Sequence, residues 1–366
     1  MNISKPKSRS SLKTFLAINF GCRVNAAETN QWSQILVNQG LIPATTDNPP
    51  SIILINTCAI TKKGEKESIN KIKFLAKKYP KSKFYVTGCA NFLKIKNIKN
   101  ISLFTNQEKE KLLDKLKSSY TQKIKDKFSH TKRFLLKIQS GCTQFCSYCI
   151  VPFKRNYLFS LPIDDAVSTV NQAVTDGYKE IIITGVNIDE YQYQLSKLIK
   201  NILDKTKIKL ISFGSVPISS IDSKFIDLYK NIKYRPRLSH FLHIPIQSGS
   251  DKILKLMHRP YTTKDILQKI NLIKNISPLH QGEMSEGQRG FELGSDIIVG
   301  FPTETDLDFK KTLDLCQLIG FSKIHVFPFS PRPGTKARIL FENSPKIPKA
   351  TLKSRSQQIQ SVQLIH

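Results

Sequence analysis

A chain of 366 residues with a net charge of +29 has room for two or three domains at roughly 100–200 residues each. It contains no apolar run near the roughly 18 residues of a membrane-spanning helix, which excludes that class. The charge favours a polyanionic partner, nucleic acid first, through field attraction and counterion release, although a lysine-rich compositional bias supplies part of it.

The N-terminal MNISKPKSRSSLK is basic and lacks the apolar core of a secretory signal, so residues 1–12 read as a disordered basic tail. A cytoplasmic location follows, and its reducing conditions suit thiolates that hold metal. FLAINF, SIILINT and KFYVTG then read as strands, and a cysteine follows each: Cys22 after Gly21, Cys58 after Thr57, Cys89 after Gly88. Residues 28–37 and 65–78 carry helical patterns between them. This alternation predicts a parallel α/β sheet, in which ligands bind outside the carboxyl ends of the strands. Cys22, Cys58 and Cys89 can therefore meet along one sheet edge as a joint metal site. The competing reading is three small buried hydrophobes, a common fate of free cysteine. Residues 106–127 read as helical and then lysine-rich, which closes a first domain over 13–127.

A second series follows. FLLKIQ, EIIITG, IKLISF, FLHIPIQ, SDIIVG and KIHVFPF read as six strands, each running into a Gly, Ser or Pro loop. Amphipathic helices separate most of them, as at residues 306–318. Repeated β–α units predict a partial parallel barrel over 128–345 with its function in the loops after the strands. Residues 346–366 read as a C-terminal helical tail. After the first strand of this series, SGCTQFCSYCIVP sets Cys142, Cys146 and Cys149 at intervals of four and three. Structural zinc usually takes four ligands, often as two C-x-x-C pairs, and no second pair lies nearby. A disulfide framework needs an even count and an oxidising compartment. An iron–sulfur cluster accepts closely spaced thiolates, normally four. Three on a four-iron cluster leave one iron open to a substrate or cofactor. Cys316, inside KKTLDLCQLIGF, reads as a core residue on the apolar side of a helix.

The C-x-x-x-C-x-x-C loop after the first strand of a six-unit β/α barrel resembles the radical S-adenosylmethionine enzymes. The wider set GCRVNAAETN, INTCAIT, VTGCA, GCTQFCSYCIVP, TGVNI, HIPIQSGSDKILKLMHRPYT, SDIIVGFPTET and HVFPFSPRPGT resembles the methylthiotransferases. Within them it is most similar to the branch acting on N6-threonylcarbamoyladenosine in tRNA. The resemblance runs from about residue 14 to about 337. It implies a Rossmann-like N-terminal domain followed by a partial (β/α)6 barrel. It implies two [4Fe–4S] clusters, one on Cys142, Cys146 and Cys149 and one on Cys22, Cys58 and Cys89. The first would chelate S-adenosylmethionine at its open iron and cleave it to a 5′-deoxyadenosyl radical that takes hydrogen from C2 of the adenine. The second would carry the sulfur, and a second S-adenosylmethionine would supply the methyl. The resemblance implies S-adenosylmethionine contacts at Gly185, Asn187, His243, Gln247, Ser248 and Gly300, and substrate contacts at His258 and Arg259. Implied partners are tRNA, modified at position 37 beside the anticodon, an external electron donor and a sulfur source, with no membrane. No acid–base catalytic residue is assigned.

The chain departs from the family pattern in places. After the cysteine loop the family has a Gly, a Glu and an Arg where this chain has Asn156, Leu158 and Leu161, while Arg155 and Ser160 remain. ISFGSVP lacks a Glu found after the third barrel strand, residues 277–291 read as a polar surface insertion, and the usual C-terminal RNA-binding β-barrel is expected to be absent. Two other functions stay open: methylthiolation of another adenosine derivative or of a ribosomal-protein side chain, and cluster-dependent RNA binding without turnover.

Overall fold

The computed structural model describes residues 13–118, 133–276 and 291–363. The chain divides into two compact units, residues 1–130 and 131–366. The basic tail, the lysine-rich segment from 119 and the insertion up to 290 lie outside the described residues.

The first unit runs β1 (Thr14–Asn19), α1 (Arg23–Asn38), β2 (Ile42–Pro43), β3 (Ile52–Thr57), α2 (Lys62–Lys78), β4 (Lys83–Gly88), β5 (Ile101–Leu103) and α3 (Lys109–Ser118). Its sheet is wholly parallel in the order β2-β1-β3-β4-β5. Every residue of β3 is buried, as a central strand covered on both faces requires. Ile52 and Leu54 pack with Trp32 and Leu36 of α1 and Leu112 of α3. Ile53 and Ile55 point the other way, to Ile69, Ile72 and Leu75 of α2. One ion pair crosses this packing: Lys109 Nζ lies 2.5 Å from Glu28 Oε2, both buried. Asn56 Nδ2 donates to the same oxygen at 3.2 Å, and the ammonium stands 5.6 Å from the Trp32 ring centre. The helix expected at 28–37 begins earlier, at Arg23, because the chain turns at Gly21 and Cys22 already accepts the Ala26 N–H at 3.1 Å.

The second unit runs β6 (Arg133–Ser140), α4 (Val151–Lys154), β7 (Phe159–Ser160), α5 (Ile163–Thr175), β8 (Glu180–Gly185), α6 (Leu195–Lys205), β9 (Leu210–Phe213), α7 (Ser223–Lys230), β10 (Phe241–His243) and α8 (Asp251–Leu256). It continues with α9 (Thr263–Lys274), β11 (Glu292–Val299), α10 (Asp306–Ile319), β12 (Lys323–Pro328), α11 (Lys336–Glu342) and α12 (Lys349–Ser361). The six strands read from the sequence are all present and parallel, in two ladders, β6-β8-β9 and β10-β11-β12. A parallel bridge from Ile211 to Leu238 and the Val216 N–H to His243 carbonyl bond of 2.8 Å join the ladders. The two-residue β7 adds an antiparallel edge on β6 that sequence periodicity did not reveal. This is an open β/α barrel, with Val170, Ile202, Phe225, Ile270 and Ile319 of the outer helices packed on the strands. Cys316 sits fully buried in that layer, as expected, and burial pushes its thiol up to about 12. Thr262 with Asp265 and Thr305 with Asp308 form capping boxes that start α9 and α10.

The C-terminal helix α12 is integral to this unit. Ile359 is in the core. Arg355 Nη1 lies 2.5 Å from Glu304 and its Nη2 lies 2.7 Å from Asp306. Glu304 also accepts the Gly300 N–H at 2.8 Å. Burial raises the Glu304 carboxyl above its ordinary 4.5, and the Gly300 N–H and Arg355 pull in the opposite direction. Such a carboxyl protonates more readily folded than unfolded. Its penalty is therefore absent below pH 4.5 and complete once pH has passed its raised folded value. Arg355→Ala strands a buried carboxylate and is expected to cost about 3–5 kcal/mol at pH 7. Denaturant titrations of wild type and variant should show that cost shrinking as pH falls toward 4.5.

Candidate metal and cofactor sites

Because β1, β3 and β4 are neighbours and parallel, their carboxyl ends lie side by side. Cys22, Cys58 and Cys89 each leave one of those ends. Cys22 is exposed, while Cys58 and Cys89 are buried. Burial raises the Cys58 thiol, and the nearby Cys89 and Cys22 add to the rise, so the three sulfurs share one electrostatic neighbourhood. Asn106 Nδ2 approaches Cys89 Sγ at 3.6 Å while bonding the Gly88 carbonyl at 3.1 Å.

The second triad follows β6. Burial pushes the Cys142 thiol up to about 11, and the Glu190 charge contributes. Burial takes Cys149 up to about 12, and Cys146 and Cys142 add to it. Thiols held this high are poor nucleophiles until a metal displaces the proton. The loop is clasped from both sides. Glu190 accepts from the Thr143 N–H at 2.9 and 3.0 Å and from Thr143 Oγ1 at 3.1 Å. Asn187 Nδ2 lies 3.7 Å from Cys142 Sγ. On the other flank Arg259 Nη1 lies 3.3 Å from Cys146 Sγ.

Three of these cysteines follow a glycine with left-handed φ: Gly21 at +95°, Gly88 at +107° and Gly141 at +87°. A Cβ at Gly21 would meet Cys58 Sγ at 2.7 Å, and one at Gly141 would meet the Tyr157 carbonyl oxygen at 1.9 Å. Glycine is required at both for space as well as for φ.

An open cleft of about 550 Å³ adjoins the second triad, with Gln144, Asn187, Asp189, Glu190, Ser219 and Asp222 in its wall. Its size is that of a small-molecule site. Ser219 and Ser220 both donate to the Asp189 carboxylate, so one acidic group of the wall is fixed.

The residues expected to contact S-adenosylmethionine separate into groups. Gly185 and Asn187 adjoin the Cys142 loop. A Cβ on Gly185 would meet Ile188 at 2.8 Å, and the Asn187 N–H donates to Gln139 Oε1 at 2.9 Å. Gln247 takes a left-handed φ of +67°, and its backbone bonds Asp296 and Ile298. Ser248 is fully buried, with its hydroxyl 3.2 Å from Thr312 Oγ1 on α10, so its side chain has no opening to a cofactor. Gly300 has φ +73°, and a Cβ there would stand 2.0 Å from Leu352 of α12, so helix packing accounts for this glycine. His243 Nε2 lies 3.0 Å from Asp296 Oδ1, which His325 Nδ1 approaches at 3.3 Å. Glu190 lies outside every quoted motif, while Asp296 and His325 lie inside SDIIVGFPTET and HVFPFSPRPGT but were not picked out there, since one acidic or one His residue in a strand carries no spacing signal.

The family model for the radical SAM superfamily matches residues 136–316, and that described as uncharacterized protein family UPF0004 matches residues 14–106. The threonylcarbamoyladenosine tRNA methylthiotransferase of Thermotoga maritima is 32% identical across 89% of this chain and 77% of its own length. The protein of that name from Chlamydia pneumoniae is 31% identical across 95% and 82%. The chain belongs to the radical S-adenosylmethionine methylthiotransferase family. A tRNA-2-methylthio-N(6)-dimethylallyladenosine synthase from Thermotoga petrophila is 30% identical across 88% and 76%. Among solved structures, the radical S-adenosylmethionine methyltransferase TsrM of Kitasatospora setae matches with a TM-score of 0.62 at 10% identity, over 91% of this chain and 75% of that one. At that identity the likeness shows the fold. The methylthiotransferase is thus an enzyme using S-adenosylmethionine and two [4Fe–4S] clusters.

Its donor sets fit those clusters. Among the described residues, the group that brings three ligand atoms within 4.8 Å of one another is His243, Asp296 and His325, and neither cysteine triad is so tight. Thiolates on a single tetrahedral zinc stand about 3.8 Å apart, given Zn–S bonds of about 2.3 Å. The wider spacing suits a multi-iron cluster. Gly141→Ala is expected to displace Cys142 and lower the iron content of the purified methylthiotransferase by about half. Gly177→Ala, at φ +90° with nothing within 4 Å of its Cβ, should cost only about 1–2 kcal/mol and leave iron unchanged. Iron and sulfide assays on the two variants test the difference.

Proposed function

We propose that this methylthiotransferase converts N6-threonylcarbamoyladenosine at position 37 of tRNA, beside the anticodon, to its 2-methylthio derivative. The observation that carries this is the 32% identity, across nearly nine-tenths of the chain, to a protein of that named activity. The net charge of +29 suits an RNA substrate. An external one-electron donor and a sulfur source complete the reaction, in the reducing cytoplasm that thiolate-bound iron needs.

In this reading Cys142, Cys146 and Cys149 hold the cluster that engages S-adenosylmethionine, and Cys22, Cys58 and Cys89 hold the second. When bound, the first cluster and S-adenosylmethionine supply one-electron chemistry able to take hydrogen from a ring carbon with no acidic proton. The chain's own residues position the reactants. Glu190 and Asn187 hold the cysteine loop at the head of the cleft. Asp189 and Asp222 give the cleft wall a negative charge suited to a sulfonium and an ammonium. Gln139 is fixed by the Asn187 N–H and by the Gly141 carbonyl, at 2.9 and 2.8 Å, so the floor beneath Cys142 stays in register.

A second observation favours the threonylcarbamoyl substrate over dimethylallyladenosine. Leu293, Ile297 and Val299 of β11 and Ile324 and Val326 of β12 face the outer helices. Asp296 and His325 therefore face inward with His243, by strand alternation. This inner wall is polar. A dimethylallyl group against this wall would take water from its exposed polar atoms, those of Asp296 and His325, without offering a hydrogen bond in return. A threonylcarbamoyl group brings ureido, hydroxyl and carboxylate partners.

Nucleoside mass spectrometry tests the proposal. The chain is expressed in a host lacking its own enzyme of this kind, and 2-methylthio-N6-threonylcarbamoyladenosine is expected in bulk tRNA. Its absence from cells holding soluble, cluster-loaded protein overturns the substrate assignment. His325→Phe is expected to lower kcat/KM on the threonylcarbamoyl RNA about tenfold, while S-adenosylmethionine cleavage without RNA stays within about twofold.

A further inference from the structure

The turn after α8, Met257-His258-Arg259-Pro260-Tyr261, reads in the sequence as a substrate contact. The structure points its arginine at the cluster loop. His258 takes φ +57° and reverses the chain. Arg259 Nη1 then donates to Cys146 Sγ at 3.3 Å, and its Nε donates to Tyr261 Oη at 2.7 Å. The guanidinium carbon lies 4.8 Å from the centre of the Tyr261 ring. Tyr261, itself 8% exposed, reaches on to the Pro245 and Ile246 carbonyls at 3.2 and 3.4 Å. The fork is thus braced on the side away from the sulfur.

The loop is fastened to the same turn by independent bonds. The Ser147 N–H donates to the Met257 carbonyl at 3.0 Å, and Ser147 Oγ donates to the Leu256 carbonyl at 2.7 Å. Cys146 and Ser147 therefore travel with the exit of α8. Among the described residues the contacts of the Arg259 guanidinium are the Cys146 sulfur and Tyr261, and no salt bridge within 4.0 Å competes for it. Cys142, in the same triad, has the opposite neighbour, with Glu190 Oε1 3.8 Å from its sulfur.

We infer that Arg259 is a positioning residue that fixes Cys146 and raises the reduction potential of the cluster this cysteine ligates. The inference rests on the cluster assignment made above, and on no particular RNA substrate. Reduction adds one electron, taken from the external donor, and no bond is made or broken in that step. A fixed cation and an N–H···S bond stabilise the added negative charge more than the oxidised state, which moves the potential upward. Lysine in place of Arg259 keeps the charge and loses the two-pronged brace between Cys146 and Tyr261.

The test is an anaerobic potentiometric titration of the full-length protein with both clusters loaded, with dithionite and mediators setting the potential and EPR reading the reduced clusters. The signal that changes shape on adding S-adenosylmethionine marks the cluster with Cys146, and the other signal is the internal control. In Arg259→Gln the ratio of reduced to oxidised cluster at a fixed potential is expected to fall about tenfold, a midpoint about 59 mV more negative for one electron. Arg259→Lys should fall between that variant and wild type. Tyr261→Phe, which releases the brace without touching Cys146, should shift in the same direction by less. The control signal should not move. An unmoved midpoint in Arg259→Gln with iron content intact overturns the inference. Loss of the cluster in that variant with no shift in Tyr261→Phe also overturns it, since that pattern marks a purely structural role. A wild-type protein with no S-adenosylmethionine-responsive signal defeats the cluster assignment itself, and the inference falls with it.

Discussion

The first cysteine triad depends on bringing thiols from three separate strands to one edge, and a parallel sheet does this at its carboxyl ends. The order β2-β1-β3-β4-β5 makes the three cysteine-bearing strands adjacent. Adjacency alone would leave each chain running outward. A left-handed glycine just before Cys22, Cys89 and Cys142 turns it at the strand end. At Gly21 and Gly141 the absent side chain also leaves room that a neighbour fills, Cys58 Sγ in one case and the Tyr157 carbonyl in the other. The recurring Gly-Cys pair is thus one solution used in both units, and conformational freedom and close approach both require glycine.

The two triads differ in their electrical surroundings. Beneath the first lies the buried Glu28–Lys109 pair, net neutral, bonded to Asn56 and so to the central strand. Its polar contact at sulfur is an uncharged amide, Asn106. The second triad has a carboxylate near Cys142 and a guanidinium on Cys146. Opposed charges a few ångströms apart produce a local field gradient across the second triad. On the assignment proposed above, the cluster that accepts an electron and holds a sulfonium beside it has use for both: a cation that favours reduction, and an acidic wall that favours the charged cofactor.

Much of this was legible in the residues. Strand-then-cysteine, repeated three times, led to the shared sheet edge, and six strands ending in Gly, Ser or Pro led to the open barrel. Period and spacing are local signals, and these features are local. The parts that stayed hidden depend on long-range contacts. Gly300 looked like a ligand-facing turn, yet Leu352, far along the chain, occupies its space. Ser248 looked like a loop residue, yet Thr312 on α10 takes its hydroxyl. Arg259 read as a substrate contact, until the fold brought Cys146 to it across a long stretch of chain. Asp296 and His325 lay inside quoted motifs, yet their meeting was hidden, because one residue on each of two strands has no mutual spacing to detect.

The departures from the family pattern after the cysteine loop also take a physical meaning. Where the family places an arginine, Leu161 packs against the barrel core, and its carbonyl still anchors the Tyr191 hydroxyl at 2.7 Å. Arg155, which is retained, is 1% exposed and donates to Ser140 Oγ at 2.9 Å, one residue before the glycine that turns the chain. The segment is therefore held by an apolar anchor at one end and a buried guanidinium at the other. Here the family's Glu position is the exposed Leu158 and its last Arg position is the partly buried Leu161, so both charges are absent together and neither is left unpaired. The support of Cys142 has changed chemistry without leaving its β6 scaffold.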